Sequence, residues 1–165
     1  MQAALADAVS DDVRESEGRT VPAENLHLTL VFLGSVSRTR LPVLDEIASR
    51  CASHFKSAQD GLVLTLDTVE HWRRPHILCA TSTGAPPGVA TLAKALKRAL
   101  TAEGFSLDLK TPFRPHVTVA RKVTHPLDPR ERVPVIWRFN EFALVQSLSG
   151  SEGSAYRPIS TYRLG

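Results

Sequence analysis

The sequence predicts an α+β domain built mostly on antiparallel sheet. Two segments, residues 42–56 and 89–102, carry apolar residues at helical spacing. Most of the remaining chain consists of short, near-alternating stretches bounded by glycine or proline, which is typical of short strands. The chain has 165 residues, of which 42% are hydrophobic, so it is long enough to bury a core of its own. Short strands interspersed with two or three helices indicate the α+β class.

The first half of the chain predicts a short helix, a strand and a longer helix. Residues 2–16 are alanine-rich and helical in character, and Val21-Pro22 breaks this segment. Residues 26–33 predict a strand that Gly34 ends. Residues 42–56 predict a helix with Pro42 in its first turn. The buried stripe of this helix is Leu44, Ile47, Ala48, Cys51 and Phe55.

The second half predicts further strands around one more helix. Extended stretches cover residues 62–69 and 75–80, and the turn at residues 85–88 opens a helix over 89–102 that Gly104 stops. The extended segments that follow are 105–109, 115–122, 135–147 and 156–164. The glycine- and serine-rich residues 147–154 predict a loop.

The composition argues against a membrane protein and against a disulfide-rich protein, and it suits an anionic partner. No apolar run approaches the roughly 20 residues that cross a bilayer, and the first residues lack the pattern of a signal peptide, so we expect a cytoplasmic protein. The two cysteines, Cys51 and Cys79, are too few for a disulfide framework and are expected to be buried free thiols. The net charge of +3 suits an anionic partner, although the basic residues near the histidine-bearing segments could equally form a solvated face.

The strongest functional signal is a motif that occurs twice. His27-Leu28-Thr29-Leu30 and His116-Val117-Thr118-Val119 both read His, apolar, Thr, apolar. In a strand, residues two apart point to the same face, so each motif offers an imidazole and a hydroxyl to one side. One such motif alone could be an edge strand with an incidental histidine, but two of them favour a paired site.

Paired histidines suit hydrolysis of a phosphodiester. A neutral imidazole can take a proton from water, and a protonated one can give a proton to the leaving oxygen. Threonine hydroxyls can hold the phosphate oxygens, and Arg121 can neutralise charge in the transition state. A strained cyclic phosphate needs less activation than a linear diester, so we expect no metal and no cofactor.

The flanks of both motifs resemble a known family. Residues 19–34 (RTVPAENLHLTLVFLG) and 113–121 (FRPHVTVAR) are similar to the two signatures of bacterial RNA 2′,3′-cyclic phosphodiesterases, which belong to the two-histidine phosphoesterases also called 2′-5′ RNA ligases. The resemblance implies a bilobal α+β fold in which two antiparallel sheets, with helices outside, flank a central cleft. It also implies hydrolysis of RNA 2′,3′-cyclic phosphate ends, or of small cyclic nucleotides, to 2′-phosphates by a monomer that needs no membrane.

Roles for individual residues follow from the resemblance. It implies that His116 is the base that activates water and His27 the acid that protonates the 3′ oxygen, in nearly symmetric motifs. Thr29, Thr118 and Arg121 would bind the phosphate. The resemblance also implies a first strand before the first helix, so we expect residues 1–165 to form one two-lobed domain that lacks this strand.

Other residues and other functions stay open. We expect the edge of the cleft to contain Arg114 and a loop of residues 71–74, which includes His71, Trp72 and Arg73. Trp72 either stacks on a base or closes the core. His71, His76 and Cys79, or Cys51 with His54, could be read as metal ligands, but neither set has the spacing of a zinc site. The alternatives to hydrolysis are a 2′-5′ ligase that joins a cyclic phosphate end to a 5′-hydroxyl, and an RNA-end binding protein without turnover.

Overall fold

The computed structural model describes residues 1–55, 61–84, 86–109, 111–150 and 153–165. The chain divides into two compact units, each made of three segments. The first unit is Met1–Thr29, Val63–Pro86 and Arg114–Trp137, and the second is Leu30–Leu62, Pro87–Phe113 and Arg138–Gly165. Both histidine motifs begin in the first unit.

The first unit is built on a five-stranded sheet. Its strands are β1 (Arg19–Thr20), β2 (Leu62–Trp72), β3 (Ile77–Thr81), β4 (His116–Arg121) and β5 (Arg130–Phe139), in the order β1-β4-β3-β2-β5. The pairs β1–β4, β2–β3 and β3–β4 are antiparallel. Every residue of β3 is buried, as expected for a central strand that is covered on both faces.

Two short helices supply apolar side chains to the core of this unit. They are α1 (Gln2–Ala8) and α2 (Ser10–Glu15). Leu5, Val9 and Val13 recur at four-residue spacing, so they share one face, and each is less than 10% exposed. Val9 and Val13 line the same small apolar cavity as Val119 of β4, which places the helices on the face of the sheet that carries Val119.

Ion pairs tie α2 to β5. The carboxylate of Asp12 is only 1% exposed and accepts hydrogen bonds from the guanidinium of Arg132, one of them from Nε at 2.8 Å. Glu15 accepts two hydrogen bonds from Arg130, at 2.5 and 2.6 Å. The Arg130 guanidinium holds the pKa of Glu15 below its ordinary value.

The second unit contains the two longer helices and a hairpin. The helices are α3 (Leu41–His54) and α4 (Pro87–Ala102), and the hairpin is β6 (Glu141–Gly150) paired antiparallel with β7 (Gly153–Arg163). The Tyr162 hydroxyl donates a 2.6 Å hydrogen bond to Asp45, which joins β7 to α3. Burial, and then the nearby Asp45 carboxylate, raise the pKa of Tyr162 to about 12.

The α+β class with two antiparallel sheets is confirmed. The helix predicted over 89–102 lies within α4, and Gly104, at φ +76°, follows its end. Within the described part of the chain, no helix is long and apolar enough to cross a bilayer. The predicted end of the other long helix, at residue 56, lies outside the described residues.

Several predicted elements were wrong. Residues 26–33 are not a regular strand, because a 3₁₀ turn at Ala23–Asn25 leads into a single bridge at Leu28 and a bend at Leu30. Residues 135–147 are not one stretch but the end of β5, a break at Asn140 and the start of β6. Of the predicted loop at 147–154, residues 147–150 belong to β6 and residues 153–154 to β7, so these residues are strand, and residues 151–152 lie outside the described part of the chain. Residues 105–109 form no strand. Cys51 is only partly buried, whereas Cys79 is buried as predicted.

Candidate active site

One histidine motif lies on β4, in the interior of the five-stranded sheet. His116 and Thr118 are partly exposed, whereas Val117 between them is fully buried in the core. On the next strand, Thr81 pairs with His116 and Cys79 pairs with Thr118. Because paired residues share a face, these four side chains lie on one side of the sheet, which we call the histidine face.

The other histidine motif lies directly beside the first. Leu28 forms an antiparallel bridge with Val117. The register of this bridge predicts that His27 lies opposite Thr118 and Thr29 opposite His116. Diagonal neighbours in such a register have Cα atoms typically about 7–8 Å apart. The bridge itself places the backbone of the first motif beside β4, although no regular strand forms around Leu28.

The two imidazoles are held by the same kind of hydrogen bond. Nδ1 of His27 lies 2.7 Å from the carbonyl oxygen of Asn25, and Nδ1 of His116 lies 2.8 Å from that of Arg114. In each case the acceptor is two residues before the histidine. Since a carbonyl oxygen can only accept, Nδ1 carries the hydrogen, and the neutral ring has its lone pair on Nε2. In each neutral ring, Nε2 is therefore the nitrogen that can accept a proton.

A β-bulge determines the direction of Arg121. Along β3, Leu78 pairs with Ala120 and the adjacent Cys79 pairs with Thr118, so β4 has one extra residue at this point. Val119 and Ala120 are consequently both buried, and the exposed Arg121 returns to the side of Thr118. In a strand with strict alternation, Arg121 would share the core face of Val119. The bulge brings Arg121 to the face where the sequence predicts a phosphate ligand.

A polar cluster surrounds His116. The Trp72 ring lies 4.4 Å from the His116 ring, centroid to centroid, and the Arg114 guanidinium lies 5.2 Å from the Trp72 ring. Glu70 accepts hydrogen bonds from Trp72 Nε1 at 3.2 Å, from Arg114 Nη2 at 2.5 Å and from Thr81 Oγ1 at 3.1 Å. Trp72 and Arg114, both expected at the edge of a cleft, are therefore neighbours of His116.

The contact between Trp72 and His116 also reports the shape of this sheet. Trp72 pairs with Ile77, whereas His116 pairs with Thr81, four residues further along β3. In a flat sheet, the Cα atoms of Trp72 and His116 would be roughly 16 Å apart, too far for their rings to touch. The sheet is therefore strongly twisted, and side chains on the histidine face converge.

The remaining predicted edge residues lie elsewhere. His71 pairs with Leu78 and alternates with Glu70 and Trp72, so it points to the opposite face of β2 and does not join the site. Its Nε2 is buried and has no hydrogen-bond partner among the residues that the structure describes. Burial, followed by the charges of His76 and Arg73, lowers the pKa of His71. Arg73 lies in the exposed turn after β2. The prediction that residues 71–74 form one loop was wrong, because His71 and Trp72 belong to the strand.

The cysteine on the histidine face, Cys79, is expected to be unreactive. Cys79 is fully buried, its Sγ lies 4.0 Å from Thr118 Oγ1, and burial raises the pKa of its thiol to about 12. A protonated thiol is a poor nucleophile and a poor metal ligand. Across the ranges that the structure describes, no three His, Cys, Asp or Glu side chains are grouped as ligands of one metal ion.

Sequence reasoning missed the residues that support His116. Glu70 and Thr81 carry no local signal beyond their alternation on strands, and their roles depend on the pairing of β2, β3 and β4. One available clue was the Glu-x-Trp spacing in β2, which puts Glu70 and Trp72 on one face. The carbonyl acceptors at Asn25 and Arg114 could not be predicted from side-chain types.

The chain is similar in sequence to known proteins. A model of the 2′-5′ RNA ligase superfamily matches residues 2–150. The RNA 2′,3′-cyclic phosphodiesterase of Escherichia coli is 32% identical over 148 residues, which cover 89% of this chain and 80% of that protein. The protein of the same name from Aeropyrum pernix is 36% identical over 107 residues, or 62% of this chain and 56% of that protein.

A solved structure has the same fold. The crystal structure of Escherichia coli LigT complexed with 3′-AMP superposes with a TM-score of 0.81 at 28% sequence identity, covering 98% of this chain and 92% of that chain. The likeness extends over both compact units, so it is not confined to the two histidine motifs.

Proposed function

The chain belongs to the 2′-5′ RNA ligase superfamily, and from this membership we propose that it is a phosphodiesterase that hydrolyses RNA 2′,3′-cyclic phosphate ends to 2′-phosphates. The observation that carries the proposal is the matched pair of His27 and His116. Both imidazoles are bound through Nδ1 to a carbonyl two residues earlier, and both motifs meet at the bridge between Leu28 and Val117. This arrangement suits one acid and one base acting on a single phosphate.

The chemistry needs two proton transfers. Nε2 of His116 takes a proton from water, and the resulting hydroxide attacks the phosphorus atom. The bond between phosphorus and the 3′ oxygen breaks, and Nε2 of His27 gives its proton to that oxygen. The product has a 2′-phosphate and a 3′-hydroxyl. The assignment of base to His116 and acid to His27 rests on the family resemblance, because the two sites are nearly symmetric.

Three further side chains are proposed to hold the phosphate. The hydroxyls of Thr29 and Thr118 donate hydrogen bonds to its non-bridging oxygens. Arg121, which the bulge directs to the histidine face, neutralises the charge that builds up in the transition state. The Arg114 guanidinium is not assigned to the phosphate, because it already pairs with Glu70.

The first experiment follows a short RNA that ends in a 2′,3′-cyclic phosphate, in ¹⁸O-labelled water. Hydrolysis puts one label into the 2′-phosphate product, read by mass spectrometry and ³¹P NMR. We expect His27→Ala and His116→Ala each to lower kcat by at least about a hundredfold, the range for losing one general acid or base. His54→Ala, on α3, is the matched control and should keep the activity of the parent protein. Activity close to the parent level in either site variant, with an intact fold, would refute the pair.

The same experiment separates the alternatives. If a 5′-hydroxyl oligonucleotide replaces water as the attacking group, the product is a 2′-5′ linked RNA, and the protein is a ligase. The superfamily name includes such ligation, whereas the curated relatives are named phosphodiesterases. Binding of the cyclic end without either product would indicate an RNA-end binding protein.

We expect hydrolysis to proceed in EDTA, and a loss of activity that zinc restores would indicate a metallohydrolase.

A further inference from the structure

Glu70 accepts hydrogen bonds from three residues that surround His116. Its side chain is 19% exposed, so the carboxylate is largely removed from water. A carboxylate in this position needs hydrogen-bond donors to compensate for lost hydration. Trp72, Thr81 and Arg114 supply three such donors from three separate positions along the chain.

Each of the three donors is also a neighbour of His116. The Arg114 carbonyl oxygen accepts the hydrogen of His116 Nδ1, and the Trp72 ring packs on the His116 ring. Thr81 is the residue that pairs with His116 across β3 and β4. The three residues that neighbour His116 through the backbone, through ring packing and across the adjacent strand therefore all donate a hydrogen bond to the same carboxylate, that of Glu70.

We propose that Glu70 is the positioning residue for His116: it fixes the tautomer and direction of the imidazole through Arg114 and Trp72. This inference rests on the proposed role of His116 in proton transfer. Glu70 acts through its neighbours, so it does not exchange protons with the substrate. The same contacts keep the Arg114 guanidinium on Glu70 and away from the phosphate.

The physical reason is the precision that proton transfer requires. Nε2 reaches its partner over about 2.6–3.2 Å, and a displacement of about 1 Å can lower the rate roughly a hundredfold. Without Glu70, the Arg114 side chain would turn towards water or phosphate, and its backbone carbonyl would no longer be held against Nδ1. The Trp72 ring would lose the hydrogen bond that fixes its plane. The His116 ring could then rotate and exchange tautomers.

Two variants test the proposal. Glu70→Ala removes all three hydrogen bonds, whereas Glu70→Gln keeps the shape and the acceptor oxygen but loses the charge that pairs with Arg114. We expect Glu70→Ala to lower kcat by about 10- to 100-fold on a 2′,3′-cyclic mononucleotide without raising KM, because the Arg114 guanidinium, once released from Glu70, is able to attract the phosphate. Glu70→Gln should fall between this variant and the parent protein. Glu46→Gln, an exposed carboxylate on α3 that pairs with Arg50 at 3.9 Å, is the matched control.

A spectroscopic measurement separates positioning from general stability. Long-range ¹H–¹⁵N correlations of labelled imidazoles distinguish a hydrogen on Nδ1 from one on Nε2. At mildly alkaline pH, where imidazoles are neutral, the parent His116 should show a single tautomer with its hydrogen on Nδ1. Glu70→Ala should show mixed tautomers at His116 while His27 keeps its signal. A purely structural role would change the melting temperature but not the tautomer.

The outcomes are distinct. Unchanged kcat and an unchanged His116 tautomer in Glu70→Ala would overturn the proposal. If Glu70→Ala fails to fold, Glu70→Gln gives the same two measurements, and parent values for both in that variant would overturn it. A parent protein that does not turn over the cyclic nucleotide would refute the proposed function, while the tautomer would still decide whether Glu70 positions His116.

Discussion

The buried carboxylate of Asp12 gives a quantitative test of how the first unit is held together. Asp12 on α2 is 1% exposed and pairs with Arg132 of β5, with Arg130 a further 3.7 Å contact. Asp12→Asn keeps the size of the side chain and one acceptor oxygen but removes the charge. Arg132 and Arg130 then face a neutral amide in place of a carboxylate.

The magnitude follows from the burial of the partners. Breaking a fully buried ion pair typically costs about 3–5 kcal/mol, because it leaves one charge buried and unpaired. Here the Arg132 side chain is 32% exposed and can regain water, so we expect a loss of about 2–3 kcal/mol in the free energy of unfolding. At roughly 2–4 °C per kcal/mol for a chain of this size, the melting temperature should fall by about 4–12 °C.

The neighbouring residue provides the control. Asp11 also lies on α2 and also pairs with an arginine, Arg14, but the two side chains are 83% and 78% exposed. Exposed pairs contribute about 0–1 kcal/mol, so Asp11→Asn should leave the urea midpoint nearly unchanged. Urea and thermal unfolding of the three proteins make the comparison. Equal stabilities for Asp12→Asn and Asp11→Asn would show that burial does not govern the strength of these pairs.

Arg121→Gln should lower kcat/KM by about a hundredfold, the range for losing one transition-state donor, whereas Lys122→Gln should not; equal effects would mean that the bulge does not direct Arg121 to the site. Because the pKa of Glu15 lies below its ordinary value of 4.5, its stabilising effect is present above that value and is lost as the pH falls, so Glu15→Gln should reduce the acid dependence of unfolding. Because the pKa of Tyr162 is raised from 10.0 to about 12, its effect is full below pH 10 and is lost as the pH rises towards 12; Tyr162→Phe should remove this part of the alkaline dependence of urea unfolding, and an unchanged slope would contradict it.

The fold class was predictable because helical periodicity and short alternating stretches are local features. The two long helices and most strands of the first unit follow directly from such patterns. The hairpin of β6 and β7 could not be predicted in this way, because glycine and serine at residues 147–154 usually indicate a loop. In the structure, the two strands pair from Glu141, opposite Arg163, to Gly150, opposite Gly153, and this pairing overrides the local preference for a loop.

The motifs of the candidate site were predictable for a related reason. Both His-x-Thr motifs are short, and for the motif at His116 the alternation of β4 is enough to put its two polar side chains on one face. The regular strand predicted around His27 does not form: a 3₁₀ turn ends at Asn25, and the residues after it pair with β4 at the bridge of Leu28. The bridge between Leu28 and Val117 nevertheless places this motif beside β4, next to the motif that begins at His116.

What the sequence could not supply are features that arise between strands. The bulge at Val119 and Ala120 exists only relative to the pairing of β4 with β3, and without it alternation would send Arg121 into the core. The role of Glu70 likewise depends on a twist that brings β2 side chains to His116 across β3. A protonation site is therefore encoded locally by its motif, whereas its alignment is encoded by residues that are distant in sequence. Substitutions at Arg121 and Glu70 should for this reason lower kcat by different mechanisms. The change at Arg121 removes a charge that neutralises the transition state, whereas the change at Glu70 disturbs the orientation of the His116 imidazole.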